Sequence, residues 1–175
     1  MASSEPKFLF DPYLDWVEKE GPAVTEGLGI DLLEIETAPW PRLGVDGAFA
    51  HLRGRGDFVS IFVIDLPPGG NTSPQRHLFE EVVYVLEGRG STTIKTPDGE
   101  THSFEWGPKS LFALPLNAEY RHFNGSGRSR VRIASTNNLP VVLNVFHNEA
   151  FIFQNDASFS ERAGKAGYFS GEGEF

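Results

Sequence analysis

The sequence predicts an all-β domain that follows a short N-terminal helical arm. Apolar, β-branched segments recur at intervals of about ten residues, with glycine, proline and asparagine between them, as in a sandwich or barrel. The 175 residues include 19 glycines, 12 prolines and 15 phenylalanines, the counts of a turn-rich β protein with an aromatic core. The clearest helical pattern lies near the N-terminus, ahead of these segments.

The arm is expected over residues 1–39, with its helix at residues 11–20. Asp11 can cap the N-terminus of this helix, Pro12 suits its first position, and a Gly-Pro pair ends it. Such an amphipathic helix packs on its own domain or on a second subunit, and we expect a homodimer. Its apolar face is formed by Tyr13, Trp16 and Val17.

The β domain is expected over residues 40–150, and the tail over 151–175, whose end is rich in glycine. The first strand is nearly all apolar and is closed by Pro67-Pro68-Gly69-Gly70. Asp98-Gly99 marks a hairpin turn. The predicted strands are Phe58–Leu66, Glu81–Leu86, Ser91–Lys95, His102–Trp106, Ser110–Leu114, Tyr120–Phe123, Val131–Ser135 and Val141–Phe146.

Composition excludes several classes of function. The net charge of −9 disfavours binding to nucleic acid or to an anionic membrane surface. The absence of cysteine excludes disulfides, thiolate nucleophiles and cysteine-based metal sites. We see no signal-peptide pattern, and no apolar run approaches the roughly 20 residues that a membrane span needs. A cytoplasmic protein that acts on a small molecule is the expectation.

A histidine and a glutamate lie in a glycine-framed pattern at the start of the second predicted strand. Five residues separate Gly69 from Gln75, and one residue separates Gln75 from His77. Three residues then lead to Glu81, and six more lead to Gly88. This spacing resembles the first motif of the cupins, which reads glycine, five residues, His-x-His, three or four residues, glutamate, six residues, glycine. One residue departs from it, because Gln75 replaces the first histidine.

A later segment resembles the second cupin motif, Pro-x-Gly-x-x-His-x-x-x-Asn. The stretch PLNAEYRHFN at residues 115–124 has its length. Asn117 replaces the glycine, and both residue types adopt the left-handed turn conformation. Tyr120 takes the place of the histidine, and His122 follows two residues later. The resemblance covers residues 40–150. Over these residues the chain is similar to the N-terminal module of bacterial and fungal two-module cupins.

The cupin resemblance implies a jelly-roll β-barrel with a metal site inside. Residues i and i+2 of a strand share a face, so Gln75 faces with His77, and Tyr120 with His122. If these faces line the barrel, His77, Glu81 and His122 form the two-histidine, one-carboxylate set of many non-haem Fe(II) sites. Fe, Mn, Zn and Ni all suit such donors.

Two further residues of the motifs have open roles. Gln75 would add a neutral carbonyl ligand or hydrogen-bond a metal-bound water. Tyr120 could ligate the metal, hydrogen-bond a substrate oxygen or donate a proton. We therefore list Tyr120 with Glu81, which would tune the charge of the metal, as candidate catalytic residues.

The remaining histidines have weaker patterns. His51 is expected on a strand and without a role, and His102 on an exposed cross-strand surface. His147 is a reserve ligand if His122 points away.

An apolar pocket with a few convergent polar groups is the usual form of a small-molecule site. The predicted inward apolar residues are Phe62, Val83, Val85, Leu114 and Val145.

Two functions are consistent with these features. The first is a metal-dependent enzyme acting on a small organic molecule, with dioxygenase chemistry leading and isomerase or lyase chemistry next. The alternative is a non-catalytic binding or structural module with a degenerate metal site, which the replacements at Gln75 and Tyr120 favour. The cupin fold hosts both classes and does not decide between them.

Overall fold

The computed structural model describes residues 11–54, 58–96 and 99–161, and within them the chain forms ten strands and three helices. None of these helices has the length and apolar character that crossing a membrane requires. In chain order the elements are α1 (Pro12–Glu20), β1 (Ala23–Gly27), β2 (Ala38–Trp40), β3 (Val45–Leu52), β4 (Ser60–Leu66), β5 (Glu81–Glu87), β6 (Gly90–Lys95), β7 (Thr101–Trp106), β8 (Leu111–Leu114), β9 (Glu119–Asn124), β10 (Val131–Asn137), α2 (Leu139–Phe146) and α3 (Glu149–Phe153).

The strands form two sheets, which confirms the predicted all-β sandwich. The larger sheet has the order β1-β3-β4-β10-β5-β8, with β2 also paired to β3, and the smaller has the order β7-β6-β9. Burial alternates along β5, where Val83 and Val85 are buried while Val82 and Tyr84 are exposed. The buried face of this strand points into the space between the sheets.

The helix predicted at residues 11–20 is confirmed as α1. The Asp11 side chain accepts a hydrogen bond from the backbone N–H of Leu14, and Gly21 ends the helix with a φ of 90°. The Trp16 ring packs on those of Phe49 and Phe62, so the apolar face of α1 is buried against its own barrel. The segment expected as an arm also supplies β1, which pairs in parallel with β3.

The strand predicted at Val141–Phe146 is wrong, because this segment belongs to α2. A short apolar run does not distinguish a strand from a buried helix, whereas Pro140 in the first turn favours a helix start. The helix buries Leu139 and Leu143, and Val145, predicted to face inward, is 66% exposed. The other predicted inward residues, Phe62, Val83, Val85 and Leu114, are buried.

The predicted hairpin turn joins β6 to β7. Gly99 has a φ of 88°, and its N–H donates to the carbonyl of Thr96. Asp98 lies outside the described residues, as does the glycine-rich end of the predicted tail. The first predicted strand begins at Ser60 rather than Phe58.

Candidate functional site

Four residues of the two sequence motifs are buried between the sheets. Glu81 opens β5 of the larger sheet, with His77 in the loop before it, and Tyr120 and His122 lie on β9 of the smaller sheet. The loop is tied to β9 because Gln75 and Tyr120 exchange two backbone hydrogen bonds of 2.9 Å. The two motifs therefore meet inside the barrel.

The polar centre of this interior is a triangle of side-chain atoms from His77, Glu81 and Tyr120. His77 Nε2 lies 2.7 Å from Glu81 Oε2 and 3.1 Å from the Tyr120 hydroxyl oxygen. The Tyr120 hydroxyl donates to the same Oε2 of Glu81 over 2.7 Å. The other carboxylate oxygen, Oε1, accepts a short hydrogen bond from the Ser135 hydroxyl on β10. We call the first three residues the polar triangle.

The His77 ring is held in place by Phe79. Its Nδ1 lies 3.1 Å from the Phe79 carbonyl oxygen, and the two rings stack with centroids 3.5 Å apart. Since a carbonyl only accepts, Nδ1 carries a proton, and Nε2 is directed at Glu81. In proteins, histidines that ligate metals commonly make this outer contact.

The charges of the polar triangle are set by burial and by its own contacts. Burial raises the pKa of Glu81, but the hydrogen bond and charge of His77 and the hydroxyls of Ser135 and Tyr120 outweigh it and lower that pKa to about 2. Burial, with the negative charge of Glu81, raises the pKa of Tyr120 well above its ordinary value. Without a metal, Tyr120 is a neutral donor beside an ionised carboxylate.

His122 lies beside the polar triangle but is held by the smaller sheet. Its Nδ1 is 2.7 Å from the Thr92 hydroxyl, which also accepts the indole N–H of Trp106 over 2.8 Å. The centroids of its ring and the Tyr120 ring are 5.2 Å apart. Burial lowers the pKa of His122 to about 4, against the opposing charge of Glu81, so the ring is neutral at pH 7.

The structure does not bring the predicted ligand set of His77, Glu81 and His122 together at one point. Within residues 11–54, 58–96 and 99–161, no group of three or more His, Cys, Asp or Glu side chains is arranged to hold a metal ion. The physical reason is that Thr92 engages His122, while His77 and Glu81 converge with Tyr120. The donors that do converge are one imidazole, one carboxylate and one phenol.

Gln75 is engaged with neighbouring loops. Its amide nitrogen donates to the carbonyls of Arg42 and Ser73, over 2.9 and 3.1 Å. These contacts hold the amide group at the backbone of Arg42 and Ser73, and a role for Gln75 as a metal ligand stays a prediction.

The other histidines lie away from the polar triangle. His51 is on β3, as expected, and its Nε2 is 2.9 Å from the hydroxyl of Tyr13. His102 is on β7, with Nε2 3.7 Å from a carboxylate oxygen of Glu100. His147 is exposed at the end of α2, and its reserve role as a ligand stays a prediction.

Sequence reasoning missed Ser135 and Thr92, the hydroxyls that hold Glu81 and His122. A signal for Ser135 was present, since it continues the period of two set by the buried Val131 and Ile133. A hydroxyl at an inward position of an apolar strand indicates a polar partner inside. For Thr92 we find no comparable signal, because β6 mixes serine and threonine on both faces.

The apolar residues predicted to line the pocket adjoin this centre. Leu114 pairs with Glu81 across β8 and β5, and Val83 and Phe62 both pair with Ser135 on either side of β10. An apolar wall therefore surrounds a compact polar group, the form that small-molecule sites take.

Comparison with solved structures finds the cupin fold. The chain is similar to the cupin domain of Schizosaccharomyces pombe Cnp3, at 17% identity over 69% of this chain and 85% of that one, with a TM-score of 0.53. It is similar to oxalate decarboxylase of Lactobacillus farciminis in its formate complex, at 12% identity over 62% of this chain, with a TM-score of 0.52. It spans 32% of that enzyme chain. The predicted cupin barrel is thus confirmed as a fold.

The fold does not carry the activity with it. The chain is equally similar to Peruvianin-I, a cysteine peptidase from Thevetia peruviana latex, at 16% identity over 63% of this chain and 71% of that one, with a TM-score of 0.53. This chain contains no cysteine. Searches against protein-family models and against curated proteins returned no match. Function must therefore be argued from the site.

Proposed function

We propose that this chain is a metal-dependent cupin enzyme that acts on a small organic molecule inside its barrel. The observation that carries the proposal is the convergence of His77 Nε2 and Glu81 Oε2 at 2.7 Å in a buried interior. Each of these residues is oriented by a contact on its far side, His77 by the Phe79 carbonyl and Glu81 by the Ser135 hydroxyl. Such outer contacts orient metal ligands in proteins.

The donor types indicate which metals suit the site. Imidazole and oxygen ligands fit Fe and Mn best, and also Zn or Ni. A bound ion would supply Lewis-acid or redox chemistry. Dioxygenase chemistry leads among the reactions, because few protein ligands leave positions open for oxygen and substrate, and isomerase or lyase chemistry is next.

The chain's own residues would exclude water and hold a proton at the site. Phe62, Val83 and Leu114 exclude water from the interior, which strengthens every charge interaction there. In the metal-free chain, the Tyr120 hydroxyl holds a proton at Glu81 Oε2. A small substrate with a polar end fits these surroundings better than a sugar phosphate, which would need buried basic groups.

Metal analysis tests this proposal. Protein purified without a metal-affinity step and incubated with Fe(II) or Mn(II) is expected to retain about one ion per chain. His77→Ala should lose most of it, because one of the converging donors is removed. His102→Ala, on β7, is the matched control and should retain the wild-type amount. A wild-type chain that retains no transition metal would overturn the proposal.

A second candidate is a metal-free binding module. It is favoured by the way His77, Glu81 and Tyr120 satisfy one another, since a proton between Nε2 and Oε2 gives a neutral ion pair that needs no metal. This candidate predicts that metal content stays negligible while a small ligand binds with unchanged affinity in EDTA.

A further inference from the structure

We propose that Tyr120 is the third protein ligand of the metal site, so that the chain binds its ion through His77, Glu81 and Tyr120. The inference rests on the proposed function, since it needs a bound metal. It assigns a ligand to the position where the second cupin motif has a histidine and this chain does not. Tyrosine then replaces the lost donor, rather than marking a lost site.

The separations in the polar triangle suit a single ion. Its three edges are 2.7, 2.7 and 3.1 Å. Two ligand atoms that lie about 2.1 Å from an ion and at a right angle to each other are about 3 Å apart. The imidazole nitrogen, the carboxylate oxygen and the phenol oxygen thus occupy the spacing of three adjacent ligands.

Each corner of the polar triangle is held by the surrounding structure. His77 is fixed by Phe79, and Glu81 by Ser135. Tyr120 is fixed by the paired backbone of Gln75 and by edge-on contact with the His77 ring, whose centroid is 5.5 Å away. A ligand set that is held in place before the ion arrives loses little entropy on binding it.

His122 is a poorer third ligand because of its hydrogen bonds. The Thr92 oxygen already accepts the Trp106 N–H, so the proton of the Thr92 hydroxyl is free to be donated to His122 Nδ1. A neutral ring that accepts at Nδ1 carries its own proton on Nε2. In that tautomer the Nε2 nitrogen has no lone pair to offer a metal.

The charges favour a hard cation. Glu81 and a deprotonated Tyr120 would give the site two negative charges beside one neutral imidazole. Metal ions lower the pKa of the groups that bind them, so metal binding would release the Tyr120 proton. Oxygen-rich sets of this kind suit iron and manganese.

Visible spectroscopy of the iron-loaded protein tests the inference. A phenolate bound to Fe(III) gives a visible charge-transfer band that imidazole and carboxylate ligands do not give. We expect the wild-type chain, loaded with Fe(II) and oxidised in air, to show this band. Tyr120→Phe should lose it while iron is still bound. Tyr84→Phe, on the exposed side of β5, is the control and should keep it.

Each result bears on one of the two proposals. Iron bound without the band, or a band that survives Tyr120→Phe, would overturn the role of Tyr120 and leave the metal site standing. A wild-type chain that retains no transition metal would overturn the proposed function, and this inference with it. Resonance Raman spectra excited in the band identify phenolate ring modes in the wild-type chain, so the test does not depend on the folding of a variant.

Discussion

Among single residues, Glu81 connects three parts of the interior. Its Oε2 meets His77 and Tyr120, and its Oε1 meets Ser135, so one carboxylate joins a loop, the smaller sheet and the neighbouring strand. A buried charge is costly unless it is paired and hydrogen-bonded. These partners explain why Glu81 stays ionised in an apolar barrel.

His122 should make stability depend on pH. Its pKa falls from an ordinary 6.5 to about 4 on folding, because burial disfavours the charged ring. The unfolded chain therefore takes up this proton first, and stability is lost as the pH falls from 6.5 through about 4. The loss from this group is about 3 kcal/mol at most.

Urea unfolding of the metal-free protein between pH 7 and pH 4 measures this loss. The wild-type chain should lose more stability across this window than His122→Gln. His102→Gln should behave like the wild type. Equal pH dependence in the wild type and His122→Gln would contradict the burial of a neutral ring at this position.

Among the elements, α1 closes one side of the barrel with aromatic rings. Trp16 lies 5.6 Å from Phe153, 5.7 Å from Phe49 and 6.2 Å from Phe62, measured between ring centroids. From the apolar face of α1 the sequence predicts a contact with the domain or with a second subunit. In the structure this face is buried within its own chain. The homodimer stays a prediction, and light scattering at high concentration would test it.

Truncating Trp16 should destabilise the whole domain. We expect Trp16→Ala to cost about 3–5 kcal/mol of the free energy of unfolding, the usual effect of removing a large buried aromatic ring. Leu14→Ala, on the exposed side of the same helix, should change it by about 0.5 kcal/mol or less. Similar unfolding midpoints for the two variants would show that α1 does not pack as described.

For the molecule as a whole, the site joins the two sheets. Glu81 belongs to the larger sheet and Tyr120 to the smaller, and their side chains meet between them. An ion bound by both would stabilise the folded state by mass action, since the unfolded chain does not hold these donors together.

Metal removal should therefore lower the unfolding temperature. We expect EDTA treatment of the metal-loaded wild-type chain to lower Tm by several degrees, and refilling with Fe(II) or Mn(II) to restore it. His77→Ala should show no such response, whereas His102→Ala should respond as the wild type does. A wild-type Tm that is unchanged by both treatments would favour the metal-free module.

The sequence by itself determined the barrel, because period-two burial and turn residues are local properties. It also determined that His77 and Glu81 belong together, since fixed spacing around glycines sets which way each side chain points. Only the tertiary structure decided that Tyr120 rather than His122 meets them. That choice depends on Thr92, which contacts His122, and on Trp106, which donates to Thr92. Both residues lie between the two motifs in the chain and belong to neither. It likewise decided that 139–146 is a helix, because an apolar run does not reveal its period until a neighbour covers one face.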